Sequence, residues 1–170
     1  MKKIIFLVAS VVLISCKKEP KKSLELDLSG EMMQVNTQTV IQDPSNQSNY
    51  YSQVDSLVKY GYGYKIVLPD SLIGKAMKVV LSAKVKETES ITGELNISIN
   101  EPNMSTLFWG FTEAKKSVKV ANNWIAIKDS VIIPANQNNK KGSALFIFSS
   151  KPTGKGFFCV DNFKIKITQE

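Results

Sequence analysis

The segment Met77-Lys78-Val79-Val80-Leu81-Ser82-Ala83-Lys84-Val85-Lys86 decides the fold class. Met77, Val79, Leu81, Ala83 and Val85 recur at a spacing of two, with Lys78, Val80, Ser82, Lys84 and Lys86 between them. Successive side chains of an extended strand point to opposite faces, so this pattern makes one apolar face and one mostly polar face. A helix would wind the same apolar residues around its whole circumference. Alternation sustained this long leaves no helical reading.

The same period appears on both sides of this strand. Residues 93–100 place Leu95, Ile97 and Ile99 on one face and Glu94, Asn96, Ser98 and Asn100 on the other. The intervening Glu87-Thr88-Glu89-Ser90 reads as a polar, hairpin-like connection. Residues 23–28 alternate strictly. Tyr60-Gly61-Tyr62-Gly63-Tyr64 alternates too, then runs into Ile66-Val67-Leu68 before the turn signals Pro69-Asp70 and Gly74. Further strands are expected at residues 107–111, 118–120, 124–133, 144–148 and 157–168. Residues 42–57, rich in Gln, Asn, Ser, Asp and Tyr, read as a loop, with a short helix at most over residues 50–60. Nine or ten strands separated by short turn signals predict an all-β antiparallel sandwich or barrel. Residues 23–170 form one domain, with no internal repeat.

Composition removes several function classes. All 22 basic residues are lysine, and the net charge is +7. The absence of histidine excludes Ser–His and Cys–His catalysis and histidine metal sites. The absence of arginine removes bidentate clamps for phosphate or guanine. The lysines look scattered along the strands rather than gathered with interleaved aromatics, which argues against a nucleic-acid partner. Paired acids such as Glu87/Glu89 or Glu94/Glu101 exist, but nothing places two of them across a cleft as glycoside hydrolysis requires. Acids on outward strand faces are expected to be solvated. No nucleophile, base or metal constellation is visible, so the domain reads as non-catalytic and without cofactor or metal.

The first residues carry a different signal. Met1-Lys2-Lys3 is a short positive stretch, and residues 4–14 are apolar apart from Ser10. That run is too short to span a bilayer and fits a secretory signal peptide at residues 1–15. Leu13-Ile14-Ser15-Cys16 resembles the lipobox of bacterial lipoproteins. The resemblance implies cleavage before Cys16, diacylglycerol and palmitate-type acylation there, and membrane attachment through that lipid. Lys17 after the cysteine, in place of aspartate, implies the outer membrane rather than inner-membrane retention. Residues 16–22 then form a solvated tether, whose lysines add attraction to anionic headgroups. The other cysteine, Cys159, lies in the apolar run Phe157-Phe158-Cys159-Val160 and reads as a buried small hydrophobe.

From Ile66 onward the chain resembles the jelly-roll sandwiches of the galactose-binding-like superfamily, to which many carbohydrate-binding modules belong. The likeness rests on residues 64–68 and 77–86, Trp109 before a loop, and Asn123-Trp124 opening a strand that ends Val131-Ile132-Ile133-Pro134. It closes on Phe158-Cys159-Val160-Asp161-Asn162-Phe163-Lys164-Ile165. The resemblance implies a non-catalytic sandwich with a carbohydrate ligand. Sugars present C–H faces to aromatic rings and hydroxyls to amides and carboxylates, so candidate residues must supply both. Tyr60, Tyr62 and Tyr64 are expected to share one strand face, and Glu101 and Asn103 precede Trp109. Tyr60, Tyr62, Trp109, Asn103 and Glu101 are therefore the ligand-binding candidates. The alternative for Trp109, Tyr64 and above all Trp124 is burial in the core, where aromatics dominate sandwich interiors. Asp161 and Asn162 offer oxygen ligands for calcium, but a strand-end bulge or turn explains them better. The competing function is an assembly lipoprotein docking an envelope protein through a sandwich face.

Overall fold

The computed structural model describes residues 23–27 and 37–170. The expected signal peptide, Cys16 and the tether lie outside the described residues. The strands are β1 (Ser23–Asp27), β2 (Val40–Asp43), β3 (Asn46–Val54), β4 (Tyr60–Val67) and β5 (Met77–Glu87). They continue as β6 (Glu94–Asn100), β7 (Thr106–Glu113), β8 (Ile125–Ile133), β9 (Ala144–Ser150) and β10 (Phe158–Gln169). They form two antiparallel sheets. A six-stranded sheet runs β2-β3-β10-β5-β8, with β1 also paired to β10, and a four-stranded sheet runs β4-β9-β6-β7. No helix among the described residues is long and apolar enough to cross a membrane.

Alternation decides what each sheet turns inward. Met77, Val79, Leu81, Ala83 and Val85 of β5 are buried, and Phe163, Ile165 and Ile167 of β10 lie on the same inner face. Leu95, Ile97 and Ile99 of β6, with Leu145 and Ile147 of β9, meet them from the other sheet. This is the antiparallel jelly-roll sandwich that the sequence predicts. β10 is the organising strand. It pairs with β3 through Phe158–Val160, with β1 through residues 164–168, and with β5 along nearly its whole length. At the open edge, Thr112 of β7 donates a hydrogen bond to Asp129 of β8 across the two sheets (2.8 Å).

Several expectations need correction. Residues 42–57 are not a loop, and residues 50–60 hold no helix, because β3 occupies Asn46–Val54 and pairs with both β2 and β10. Its polar residues hid it, since a strand near the edge of a sheet needs no continuous apolar face. Residues 118–120 form no strand; Val118 is buried just after a 3₁₀ turn at Ala114–Lys116. Residues 87–90 do not make a hairpin, because β5 and β6 lie in different sheets and this connection crosses between them. Glu87, expected to be solvated, is fully buried.

The tyrosine stripe is also broken. Tyr60 pairs with Ser150, but the next registered pair is Gly63 with Phe148, so β4 carries two residues where β9 carries one. Such a bulge reverses the alternation. Tyr64 therefore turns into the core, 6% exposed and edge-on to Phe163 at 5.8 Å, while Tyr60 remains 56% exposed. Gly63 sits at this bulge because a Cβ there would overlap the Ile147 carbonyl oxygen and crowd the Phe148 Cβ. Gly63→Ala is expected to lower stability by about 1–3 kcal/mol through overpacking against a neighbour that cannot rotate away. A fall in the urea midpoint with unchanged slope measures it, and an unchanged midpoint contradicts the argument.

Candidate functional site

The outer face of the four-stranded sheet carries a patch of aromatic rings over a polar strand. Cross-strand register builds it in rows. Lys65, Phe146, Ser98 and Trp109 stand side by side across β4, β9, β6 and β7, and Gly63, Phe148, Asn96 and Phe111 form the next row. Tyr60, Ser150, Glu94 and Glu113 close one end. The polar residues of β6 face outward as the sequence predicts, yet Asn96 and Ser98 are almost fully buried. Flanking rings on β9 and β7 cover them.

Phe148 is the hub. Trp109 stands edge-on to it with ring centroids 5.3 Å apart, and Tyr60 stands edge-on at 6.0 Å. Edge-to-face contacts of this kind hold rings in fixed orientations. Lys65 Nζ lies 5.7 Å from the centre of the Phe146 ring. Beneath the rings Asn96 Nδ2 donates to Ser150 Oγ (2.8 Å), which donates to Glu94 Oε2 (3.2 Å). The Asn96 and Asn100 side-chain oxygens accept no hydrogen bond from described residues. The face thus offers ring surfaces, a carboxylate and an ammonium together, over buried amides.

The structure brings together two of the five candidates. Tyr60 and Trp109 are both about half exposed and both rest on Phe148, which overturns the core placement for Trp109. Trp109 points out because its neighbour Phe108 faces Ile99 and the core. The Tyr62 side chain lies outside the described residues; its backbone is part of β4. Glu101 and Asn103 occupy the β6–β7 turn at the end of this face. Asn103 is spent on the turn itself, accepting from the Ser105 N–H (3.0 Å), next to Met104 at φ 70°. Sequence reading missed Phe111, Phe146 and Phe148, which look like core residues of apolar strands. Their spacing of two from Trp109 and from each other was the available signal.

Trp124 is not in the core either. It is 40% exposed on the opposite face of the molecule, on the six-stranded sheet, and edge-on to Tyr51 at 5.6 Å. Asp161 and Asn162 form a bulge in β10, with the register shifting between Asp161 and Lys164 and Asn162 at φ 53°. No group of three or more potential metal-ligating side chains occurs among the described residues.

Cys159 is buried as expected, and burial pushes its thiol up to about 11. The unfolded chain then ionises first as pH rises, so this group's contribution is intact below the ordinary thiol range and is lost on the way to pH 11. Folded protein at about pH 8 is expected to resist iodoacetamide at Cys159 and to react quickly once denatured. Equal rates in the two states contradict this burial.

Low-identity solved structures share the fold. A mutant VP2 protein of infectious bursal disease virus, from derived T=1 particles, aligns over 96% of this chain and 36% of its own, with TM-score 0.53 and 9% identity. The VP2 subviral particle gives 0.51 and 8%, over 96% of this chain and 37% of that one. The chain thus spans little more than a third of these viral proteins. A xylan-binding module, CBM15, aligns over 88% of this chain and 97% of its own, with TM-score 0.50 and 12% identity. No protein-family model matches the chain, and no curated protein sequence matches it. At these identities the likeness establishes the antiparallel β-sandwich and nothing beyond it.

Proposed function

We propose that this protein is a lipid-anchored, non-catalytic module of the bacterial outer membrane that binds carbohydrate on the outer face of its four-stranded sheet. The observation that carries the binding reading is the convergence of two exposed rings, Tyr60 and Trp109, on Phe148 beside polar groups of β6. A sugar ring stacks its C–H face on such a surface and directs hydroxyls to Glu94 and Lys65. One solved structure of the same fold is named a xylan-binding module, so an uncharged xylan-type chain is the first ligand to try. Affinity gels of the full chain against xylan and other uncharged polysaccharides test the reading. Retardation with a change in tryptophan emission supports it. Free migration on every polymer, with unchanged emission, overturns it and leaves the same ring patch as a docking face for an envelope protein.

The anchor reading rests on the order of charge, apolar run, Ser15 and Cys16. Several acyl chains on one residue give stable attachment, since each buried CH₂ contributes about 0.8 kcal/mol. Cells grown on labelled palmitate are expected to label the wild-type chain and not Cys16→Ser, which should leave the membrane fraction. Absence of label on the wild type overturns the anchor and leaves the carbohydrate reading standing.

A further inference from the structure

The lysines are not scattered. Lys78, Lys84 and Lys86 of β5, Lys128 of β8 and Lys164 and Lys166 of β10 all lie on the outer face of the six-stranded sheet, in adjoining rows of the register. Lys166 is paired with Glu25 at 3.0 Å. Lys84, Lys86 and Lys128 make no ion pair with described residues.

Two further features sit among these charges. The first is a groove of about 380 Å³ lined by Ser82, Lys84, Ala126, Asn162 and Lys164. The bulge in β10 and the small side chain of Ala126 open it. The second lies next along the same strands, two residues on from Lys84 and two back from Ala126. There Lys86 Nζ lies 5.1 Å from the Trp124 ring centre and 5.8 Å from that of Tyr51. Contact with two rings fixes the ammonium without using its N–H donors, and Lys86 donates no hydrogen bond to a described residue.

We infer that this face is a second saccharide site, selective for acidic chains such as polyuronates. Carboxylates would meet Lys84 and Lys86, the sugar's C–H face would pack on the exposed side of Trp124, and Ser82 and Asn162 would take hydroxyls at the groove. The groove and ring pair favour a threaded chain over a flat anionic lipid surface, which reads charge alone. The site goes beyond the uncharged-glycan reading, lies on the opposite sheet and shares no residue with it.

The full chain is titrated with polygalacturonate, uncharged xylan, single-stranded oligo-dT, and vesicles of phosphatidylglycerol and phosphatidylcholine. Polygalacturonate is expected to bind, with binding weakened about tenfold or more by the pair Lys84→Gln/Lys86→Gln and likewise by Trp124→Ala. Trp109→Ala should leave it unchanged. Salt at about 0.5 M should weaken it strongly. These side chains are on the surface, so circular dichroism of the variants is expected to match the wild type. No binding of polygalacturonate overturns the inference, as does binding indifferent to both variants. Equal binding of oligo-dT or vesicles with the same variant sensitivity also overturns it, because the face would then read charge rather than sugar.

Discussion

Lys151→Met is expected to lower folding stability by about 3–5 kcal/mol, the range for breaking a buried ion pair from one side. Lys151 and Glu87 are both wholly buried and 2.7 Å apart. The ammonium has three protons and the structure uses all of them, on Glu87 Oε2, the Ser90 carbonyl (2.6 Å) and Thr92 Oγ1 (3.2 Å). The other carboxylate oxygen accepts the Gly93 N–H. The pair ties the end of β5 in one sheet to the end of β9 in the other and shapes the crossing between β5 and β6. Methionine fills the space but strands the carboxylate without its partner. Against a typical total of about 5–15 kcal/mol, that loss is a large fraction. Urea denaturation measures it. The double variant Lys151→Met/Glu87→Leu is expected to regain most of the loss, because two apolar residues leave no orphaned charge. A single variant within about 1 kcal/mol of wild type contradicts the account.

Trp109→Ala is expected to weaken binding of an uncharged glycan by about thirtyfold, the loss when a central aromatic anchor is truncated. Phe148→Ala should do at least as much, since Trp109 and Tyr60 both lean on that ring. Trp109 is half exposed, and the urea midpoint of the variant separates any loss of stability from the loss of binding. Trp124→Ala on the other sheet is the internal control and should leave this ligand unaffected. Calorimetric titration of the three variants decides it. If Trp124→Ala abolishes binding while the other two do not, the uncharged ligand sits on the wrong face for the reading given above.

Much of this architecture is legible in the sequence because a half-buried strand writes its two faces as alternate letters. The β5 segment and the β6 segment both appear as read, inward and outward residues included. The limits are equally physical. β3 lacks an apolar face, so it looked like a loop. One extra residue in β4 reversed the tyrosine alternation, and no local signal distinguishes a bulge from a regular strand with glycines. For β7 and β9 both faces are apolar, and periodicity cannot say which of two apolar faces meets solvent. That is why Trp109 pointed to the site while Phe146 and Phe148 passed for core. The lysine face was hidden differently: its members are far apart in the chain and meet only through the pairing of β5, β8 and β10.

The position of β10 bears on how such a chain is made. It is the last of the described strands, yet it is flanked by β3 and β5 and also holds β1. Until residues 158–169 dock, the larger sheet is split into two separate pairs, β2 with β3 and β5 with β8. Pairings this distant in sequence form slowly.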